Sequence, residues 1–278
     1  MTKSILIIGS GILGKATGHF LEQNLENRVT YFDASSEIKE GLLNQGKTVI
    51  DVVHFDFDAI FLCLPTDQGD NGLFDLSIFA AYLDLIVGEE KERSKSRDNQ
   101  VIVIRSTVAP GDINSLISKT PSLSERLVYM PEFLRERVYL EDAVEPRAII
   151  VASPSQNSIA VTTFLFPQMQ TKLVELHDFE TAEFIKILHN AYNASKISFW
   201  NQACLFMNTQ GVDSNFVANI VAHTSEASWN PLYGIDSGRA FGGKCLPKDL
   251  GALRKWGQSR GLDTGLFDAV YDINELFK

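Results

Sequence analysis

The 278-residue chain is 45% apolar, which is enough to fill the core of one large domain or of two smaller ones. Its net charge of −10 at pH 7 argues against nucleic acid and anionic membranes as partners. No apolar run approaches the ~20 residues that span a bilayer, and we expect neither a membrane span nor a signal peptide. Three cysteines in unrelated contexts give no disulfide framework and no zinc spacing, which indicates a reducing, cytoplasmic environment without a metal site.

The first predicted element is a buried strand, residues 4–8, that leads into a glycine-rich turn with the spacing G-x-G-x-x-G. A helix over residues 15–25 and a second strand over residues 29–32 follow, and that strand ends in Asp33. This order favours a dinucleotide at the helix N-terminus over a purely structural glycine turn. Five residues of the turn are candidate cofactor contacts: Gly9, Gly11, Ile12, Leu13 and Gly14.

Asp33 decides which dinucleotide is expected. A carboxylate at this place can accept a hydrogen bond from a ribose 2′-hydroxyl, and it repels a 2′-phosphate. The sequence therefore predicts NAD as the cofactor and disfavours NADP.

Further apolar runs recur along the chain with helical intervals between them. They cover residues 59–64, 101–104, 127–129, 148–152 and 173–176. Strands that alternate with helices predict a doubly wound, Rossmann-type parallel sheet covered on both faces. Polar residues follow several of these strands, at the edge where such sheets bind ligands. We interpret the charged stretch 88–100 as a solvated helix end and loop without a function.

From Phe179 onward the pattern is helical. Residues 180–208 contain neither Gly nor Pro and predict one long central helix, on which Lys186 and Asn190 are four apart and share a face. Shorter helices are predicted over residues 212–224, 249–256 and 267–277. The division is an α/β dinucleotide domain over residues 1–178 and an all-helical domain over residues 179–278.

Residues 242–249, with the sequence GGKCLPKD, are the second chemical signature. Cys245 lies between Lys244 and Lys248, and a neighbouring ammonium group favours a thiolate over a thiol. The paired glycines let a ligand approach the backbone. Six basic residues and one acid between positions 237 and 260 suggest an anionic small ligand. A surface turn with a chance basic neighbourhood is the alternative, and the other two cysteines are interpreted as small core residues.

In order along the chain, these motifs resemble the UDP-glucose/GDP-mannose dehydrogenase family. The matching segments are residues 9–14, 65–66, 106–108, 131–136, 182–190 and 242–249. The resemblance implies oxidation of the C6 hydroxymethyl of a nucleotide sugar, a UDP-sugar in the first place, to a carboxylate with two NAD⁺ and one cysteine. It also implies a homodimer that associates through the helical domain.

The resemblance assigns roles to single residues. Cys245 is the nucleophile, while Lys186 and Asn190 hold the alkoxide and later oxyanions. Asp249 and Lys186 order a water that serves as base, Glu132 assists thioester hydrolysis, and Thr107 holds the same water. Further cofactor contacts are Pro65, Thr66, Thr107, Glu136 and Lys248. Substrate contacts are Glu132, Phe133, Leu134, Lys186, Asn190, Gly234, Ser237, Gly238 and Gly242.

The chemistry itself requires a comparable set of groups. An aldehyde has no second hydride to give until a nucleophile adds to it, and a thiolate solves this by forming a thiohemiacetal and then a thioester. The sequence departs from the family pattern at Asp67, Met130 and Ala240. The resemblance does not extend to the further α/β domain that usually follows in the family. Two alternatives stay open: a two-electron hydroxy acid dehydrogenase, and an NAD-binding subunit that has lost turnover.

Overall fold

The structure is a computed structural model that describes residues 3–23, 27–70, 72–93, 99–166, 172–235, 238–243 and 245–278. The chain divides into two compact units, Met1–His189 (unit 1) and Asn190–Lys278 (unit 2). Among the described residues, no helix combines the length and the apolar character needed to cross a membrane. The predicted domain boundary at residue 178 stays a prediction.

Unit 1 is built on one eight-stranded sheet. Its strands are β1 (Lys3–Ile8), β2 (Asn27–Phe32), β3 (Thr48–Val49), β4 (Ala59–Leu62), β5 (Val101–Ile104), β6 (Leu127–Tyr129), β7 (Ile149–Ala152) and β8 (Leu173–Leu176). Its helices are α1 (Ile12–Leu21), α2 (Ser36–Asn44), α3 (Ser77–Arg93), α4 (Asp112–Lys119), α5 (Tyr139–Val144) and α6 (Gln156–Phe164). A long helix, α7 (Phe179–Asn208), starts in unit 1 and ends in unit 2.

The strand order is β3-β2-β1-β4-β5-β6-β7-β8, and the six strands from β3 to β6 in that order are all parallel. The order reverses between β1 and β4, which is the switch point of a Rossmann-type sheet. The predicted doubly wound α/β fold is therefore confirmed. Strand residues on both faces are buried, with Leu6 and Ile60 in one layer and Ile7 and Phe61 in the other. This double burial explains why the strands read as unbroken apolar runs.

One part of the observed topology differs from the prediction. β7 runs antiparallel to β6, whereas an all-parallel sheet was expected. The connection between them contains a short 3-10 helix, Glu136–Val138, and the six-residue helix α5, which packs against α1. Because β7 is antiparallel to β6, the chain enters β7 from the sheet edge at which it left β6.

One further expectation was wrong in part, and one segment contains elements that had not been predicted. The segment between Asp33 and Asp58 contains α2, capped by the Ser35 hydroxyl, and the two-residue strand β3, although no element was predicted there. The charged stretch after residue 88 is not wholly solvated, because Glu90 forms a largely buried ion pair with Arg126 at 2.6 Å. Residues 94–98 of that stretch lie outside the described part of the chain.

Unit 2 continues α7 and adds α8 (Ser214–Thr224), α9 (Glu226–Trp229), α10 (Leu246–Gln258) and α11 (Gly265–Glu275). The predicted long central helix and helical second domain are thus confirmed. The interior is aromatic: Phe206 packs against Trp256 at 5.5 Å and against Phe267 at 5.4 Å between ring centroids. A Cβ at Gly257 would lie 2.6 Å from the Phe206 ring, so α10 approaches this cluster more closely than any other residue type permits.

Candidate active site

The predicted site residues of unit 1 follow the carboxyl ends of neighbouring parallel strands. Gly9 follows β1, Asp33 follows β2, Pro65 comes after β4, Thr107 after β5 and Glu132 after β6. Because these strands are adjacent and parallel, their carboxyl ends lie along one edge of the sheet. Ligands of open α/β sheets bind at this edge, beside the switch point.

The glycine turn is shaped for an anion. Gly9 has φ of 86°, and a Cβ there would lie 2.4 Å from the Cys63 carbonyl oxygen. A Cβ at Gly14 would lie 1.9 Å from the Gly9 carbonyl oxygen, so α1 starts tightly against the turn. A Cβ at Gly11 would meet no described atom within 4 Å, and no described side chain caps α1. The residues therefore fit a pyrophosphate at a helix N-terminus.

Asp33 lies beside the glycine turn at the end of β2. Its Oδ2 accepts from the Ser10 backbone amide at 2.6 Å, and its Oδ1 accepts from the Ser35 amide at 2.8 Å. Each carboxylate oxygen retains a second lone pair for a ligand hydroxyl. The amide of Ser10 thus fixes the acid beside the glycine turn.

Glu132 and Lys186 form the charged centre of unit 1. Lys186 is only 3% exposed, and its ammonium lies 3.1 Å from Glu132 Oε1. The other Glu132 oxygen accepts from the Leu134 amide, and the Lys186 ammonium also lies 5.6 Å from the Phe133 ring centroid. Glu132, Phe133 and Leu134, which were predicted to contact substrate, therefore lie against Lys186 or against one another.

The start of α7 is anchored by a residue that the sequence analysis named only as part of a motif. Glu183 is fully buried, and its two oxygens accept from the amides of Gly111 and Ile113 at 2.7 and 2.9 Å, at the N-terminus of α4. Burial raises the pKa of Glu183, although these two amides act in the opposite direction. Because Glu183 lies one turn before Lys186, it fixes the height and rotation of the helix that carries the ammonium group.

Arg105 was not among the predicted site residues. It is buried after β5, and it donates to Thr17 Oγ1 on α1 at 3.2 Å and to the Met130 carbonyl at 2.9 Å. Burial lowers the pKa of Arg105, while Cys63 and Glu132 oppose this shift. The guanidinium thus ties the helix of the glycine turn to the chain just before Glu132. A cationic residue directly after an apolar strand was the signal in the sequence.

The thiol loop lies in unit 2. Cys245 is exposed at the N-cap of α10. Lys248 forms an exposed ion pair with Asp249 at 2.7 Å. Asn274 of α11 was not among the predicted site residues. Its buried side-chain amide accepts from the Phe241 backbone amide at 2.7 Å and donates to the Phe241 carbonyl at 3.1 Å. This double hydrogen bond fixes the loop four residues before the thiol.

Other predicted residues lie on loops, on the short 3-10 helix or outside the described part of the chain. Glu136 and Gly242 are exposed, Thr107 is half-buried, and Gly234 and Gly238 have φ of 73° and 78°. Ser237 and Lys244 lie outside the described residues. In the described part of the chain, no group of three His, Cys, Asp or Glu side chains could hold a metal ion.

The fold and the glycine turn define a dinucleotide-binding protein with a helical second unit, an arrangement found in dehydrogenases. Residues 44–170 match the NAD binding domain of the UDP-glucose/GDP-mannose dehydrogenase family, and residues 180–276 match its central domain. The chain belongs to this family, and NAD is the cofactor that the matched domain binds.

Relatives agree with this assignment. A UDP-glucose 6-dehydrogenase of Rickettsia typhi is 27% identical over 300 residues, which are 98% of this chain and 67% of that protein. A GDP-mannose 6-dehydrogenase of Pseudomonas aeruginosa is 27% identical over 230 residues, 77% of this chain and 52% of that protein. A solved ternary complex of GDP-mannose dehydrogenase from P. aeruginosa has a TM-score of 0.82 at 24% identity and covers 98% of this chain and 68% of that one, which shows a shared fold. The chain thus spans about half to two thirds of these relatives.

Alkylation should distinguish the three thiols. Burial raises the pKa of Cys63 to about 11, whereas Cys245 is exposed at a helix N-terminus. We expect iodoacetamide to label Cys245 before Cys63 or the half-buried Cys204, because alkylation requires an accessible thiolate. Mass spectrometry of a labelling time course would show the order, and NAD⁺ with substrate should slow the labelling of Cys245. Earlier labelling of either other cysteine would contradict the assignment.

Cofactor preference should follow Asp33. We expect kcat/KM for NAD⁺ to exceed that for NADP⁺ by about 10- to 100-fold, because the carboxylate repels a 2′-phosphate at close range. Steady-state kinetics with both cofactors would measure the ratio. Asp33→Asn should narrow it, since the substitution removes the charge. Equal kcat/KM values in the unchanged protein would refute the role of Asp33.

Proposed function

We propose that the chain catalyses the four-electron oxidation of the C6 hydroxymethyl of a nucleotide sugar, most simply a UDP-sugar, to a carboxylate. The observation that carries the proposal is the buried Lys186 held against Glu132 at the ligand-binding edge of the sheet. The chain also presents the exposed Cys245 thiol at the start of α10. Together, an ammonium, a carboxylate and a thiol are the groups that the two oxidation steps need. NAD⁺, when bound, accepts a hydride in each step.

In the first oxidation the hydroxyl must lose a proton as its carbon loses a hydride. A buried ammonium lowers the energy of the developing alkoxide, and its effect is large because Lys186 is shielded from water. Asn190 lies one turn further along α7 and is assigned to the same oxyanion. A water ordered by Asp249 and Lys186 accepts the proton.

In the second oxidation the Cys245 thiolate adds to the aldehyde carbon. A C–S bond forms and the carbonyl oxygen takes up a proton, which gives a thiohemiacetal. Loss of its hydride and hydroxyl proton leaves a thioester. Water held by Thr107 and activated by Glu132 then attacks the thioester carbon, the C–S bond breaks, and the thiolate is released with the carboxylate.

The yield of NADH per molecule of sugar tests the proposal. The four-electron reaction produces two NADH for each acid formed, a two-electron dehydrogenase produces one, and an inactive NAD-binding subunit produces none. A panel of UDP- and GDP-sugars should be screened with NAD⁺, and the product identified by mass spectrometry. One NADH per sugar with an aldehyde or ketone product would overturn the proposal in favour of the two-electron reaction.

We further expect a homodimer. Unit 2 leaves large apolar side chains in solvent, including Phe216 at 66% exposed and Trp229 at 64% exposed. Association of two copies would remove such surface from water. Light scattering at micromolar concentration should return twice the 30.9 kDa chain mass. Phe216→Glu should shift the protein toward the monomer, and a monomer before any substitution would contradict the expectation.

A further inference from the structure

The Lys186–Glu132 centre has a third neighbour, His189, to which the proposed reaction gives no role. Its ring centroid lies 4.9 Å from that of Phe133, with the ring planes tilted by 60°. The Lys186 ammonium lies 5.6 Å from the same Phe133 ring. Lys186 and His189 are three residues apart on α7 and therefore share a face. One helix face thus holds the Phe133 ring through two side chains.

The position of Phe133 bears on Glu132 because the two residues are adjacent in the chain. Glu132 is held by Lys186 through one oxygen and by the Leu134 amide through the other. Movement of Phe133 together with its backbone would displace the adjacent Glu132 and alter its contact with Lys186. The His189 ring contacts Phe133 and adds packing that opposes such movement.

The charge state of the imidazole matters at this place. Partial burial and the neighbouring Lys186 lower the pKa of His189, and the Glu132 carboxylate opposes them. A lowered pKa favours the neutral imidazole of His189 at pH 7. A protonated His189 would be a second cation beside Lys186 and would compete with it for the Glu132 carboxylate and for the face of Phe133.

We propose that His189 is a positioning residue that packs on Phe133 and thereby helps to hold Glu132 against Lys186 for the reaction. This inference rests on the proposed function. It predicts two separable effects of the side chain: the packing acts at every pH, and the protonation acts only at acid pH.

Two substitutions separate these effects. His189→Phe keeps an aromatic ring on Phe133 but removes the titration, whereas His189→Ala removes both. At pH 8 we expect His189→Phe to stay within about twofold of the unchanged kcat and His189→Ala to lose about tenfold, because small displacements of catalytic groups are costly. KM for NAD⁺ should be unchanged in both. Below pH 6.5, His189→Phe should lose activity less steeply than the unchanged enzyme.

His223→Ala is the matched control, because His223 is an exposed helical histidine whose ring bonds to the Asn219 carbonyl of its own helix α8 at 2.7 Å. It should leave the kcat profile unchanged from pH 5.5 to 8. Equal kcat for His189→Ala and His189→Phe at pH 8 would overturn the packing role. Coincident acid limbs for His189→Phe and the unchanged enzyme would overturn the role of protonation.

A pH titration of His189 by NMR requires no turnover, so it tests the cluster independently of the proposed reaction. The imidazole C–H resonance of His189 is assigned by its loss in His189→Phe and is followed by NMR against pH. Lys186→Met should raise the His189 pKa, and Glu132→Gln should lower it. Failure of both shifts would refute the cluster, whereas clear shifts in a protein that produces no NADH would refute only the proposed reaction.

Discussion

Replacing Cys245 with Ser should abolish steady release of the acid while the fold and NAD binding persist. The residue is exposed at the start of α10, so the substitution removes little packing. A serine hydroxyl stays protonated at neutral pH and adds poorly to an aldehyde, and an ester is hydrolysed less readily than a thioester. Turnover should therefore collapse, with about one equivalent of aldehyde or acyl product trapped on the enzyme.

Rapid quench followed by mass spectrometry of the denatured protein would measure the trapped species. Titration calorimetry would measure NAD binding. Cys204→Ser is the matched control, because Cys204 lies on α7 in contact with the Ser214 hydroxyl at 3.4 Å and has no role in the proposed reaction. It should keep full turnover. Sustained acid production by Cys245→Ser would exclude the covalent route and bring the two-electron reaction forward.

Replacing Lys186 with Met should lower kcat by about 100-fold or more, because it removes the buried charge that stabilises the oxyanions. Methionine fills a similar volume, so the effect is electrostatic. The substitution also leaves the largely buried Glu132 carboxylate without its counter-ion, which should cost about 1–3 kcal/mol of unfolding free energy. Steady-state kinetics and denaturant unfolding measure the two effects separately.

The double substitution Lys186→Met with Glu132→Gln should recover most of the lost unfolding free energy, because it removes the unpaired carboxylate. It should recover none of the activity, because the ammonium group is still absent. Lys39→Met is the surface control: Lys39 pairs with Asp51 at 3.0 Å, and exposed pairs of this kind contribute about 0–1 kcal/mol. Near-normal kcat in Lys186→Met would show that the oxyanion is stabilised by other groups.

The class of fold and the two chemical signatures were predictable from the sequence because both depend on local rules. Double burial makes parallel strands read as apolar runs, which is why β4 and β5 were found almost to the residue. Gly9 must be glycine because of its positive φ and its closeness to the Cys63 carbonyl. The long helix α7 followed from an uninterrupted stretch without Gly or Pro. These features need only neighbouring residues to specify them.

The elements that were missed depend on contacts between distant parts of the chain. β3 is two residues long and gains its identity only by pairing with β2. The direction of β7 is likewise set by its pairing with β6 and β8, and the apolar run that predicts the strand carries no information on direction.

The same is true inside the site. Glu183 on α7 caps α4 about seventy residues earlier, Asn274 holds the loop of Cys245, and His189 packs on Phe133. Spacing along one helix predicted that Lys186 and Asn190 share a face, but it could not predict which residues elsewhere in the chain contact that face. Only the tertiary structure decided that Glu132 is the partner of Lys186, because the fold brings this carboxylate to the buried ammonium from the loop after β6.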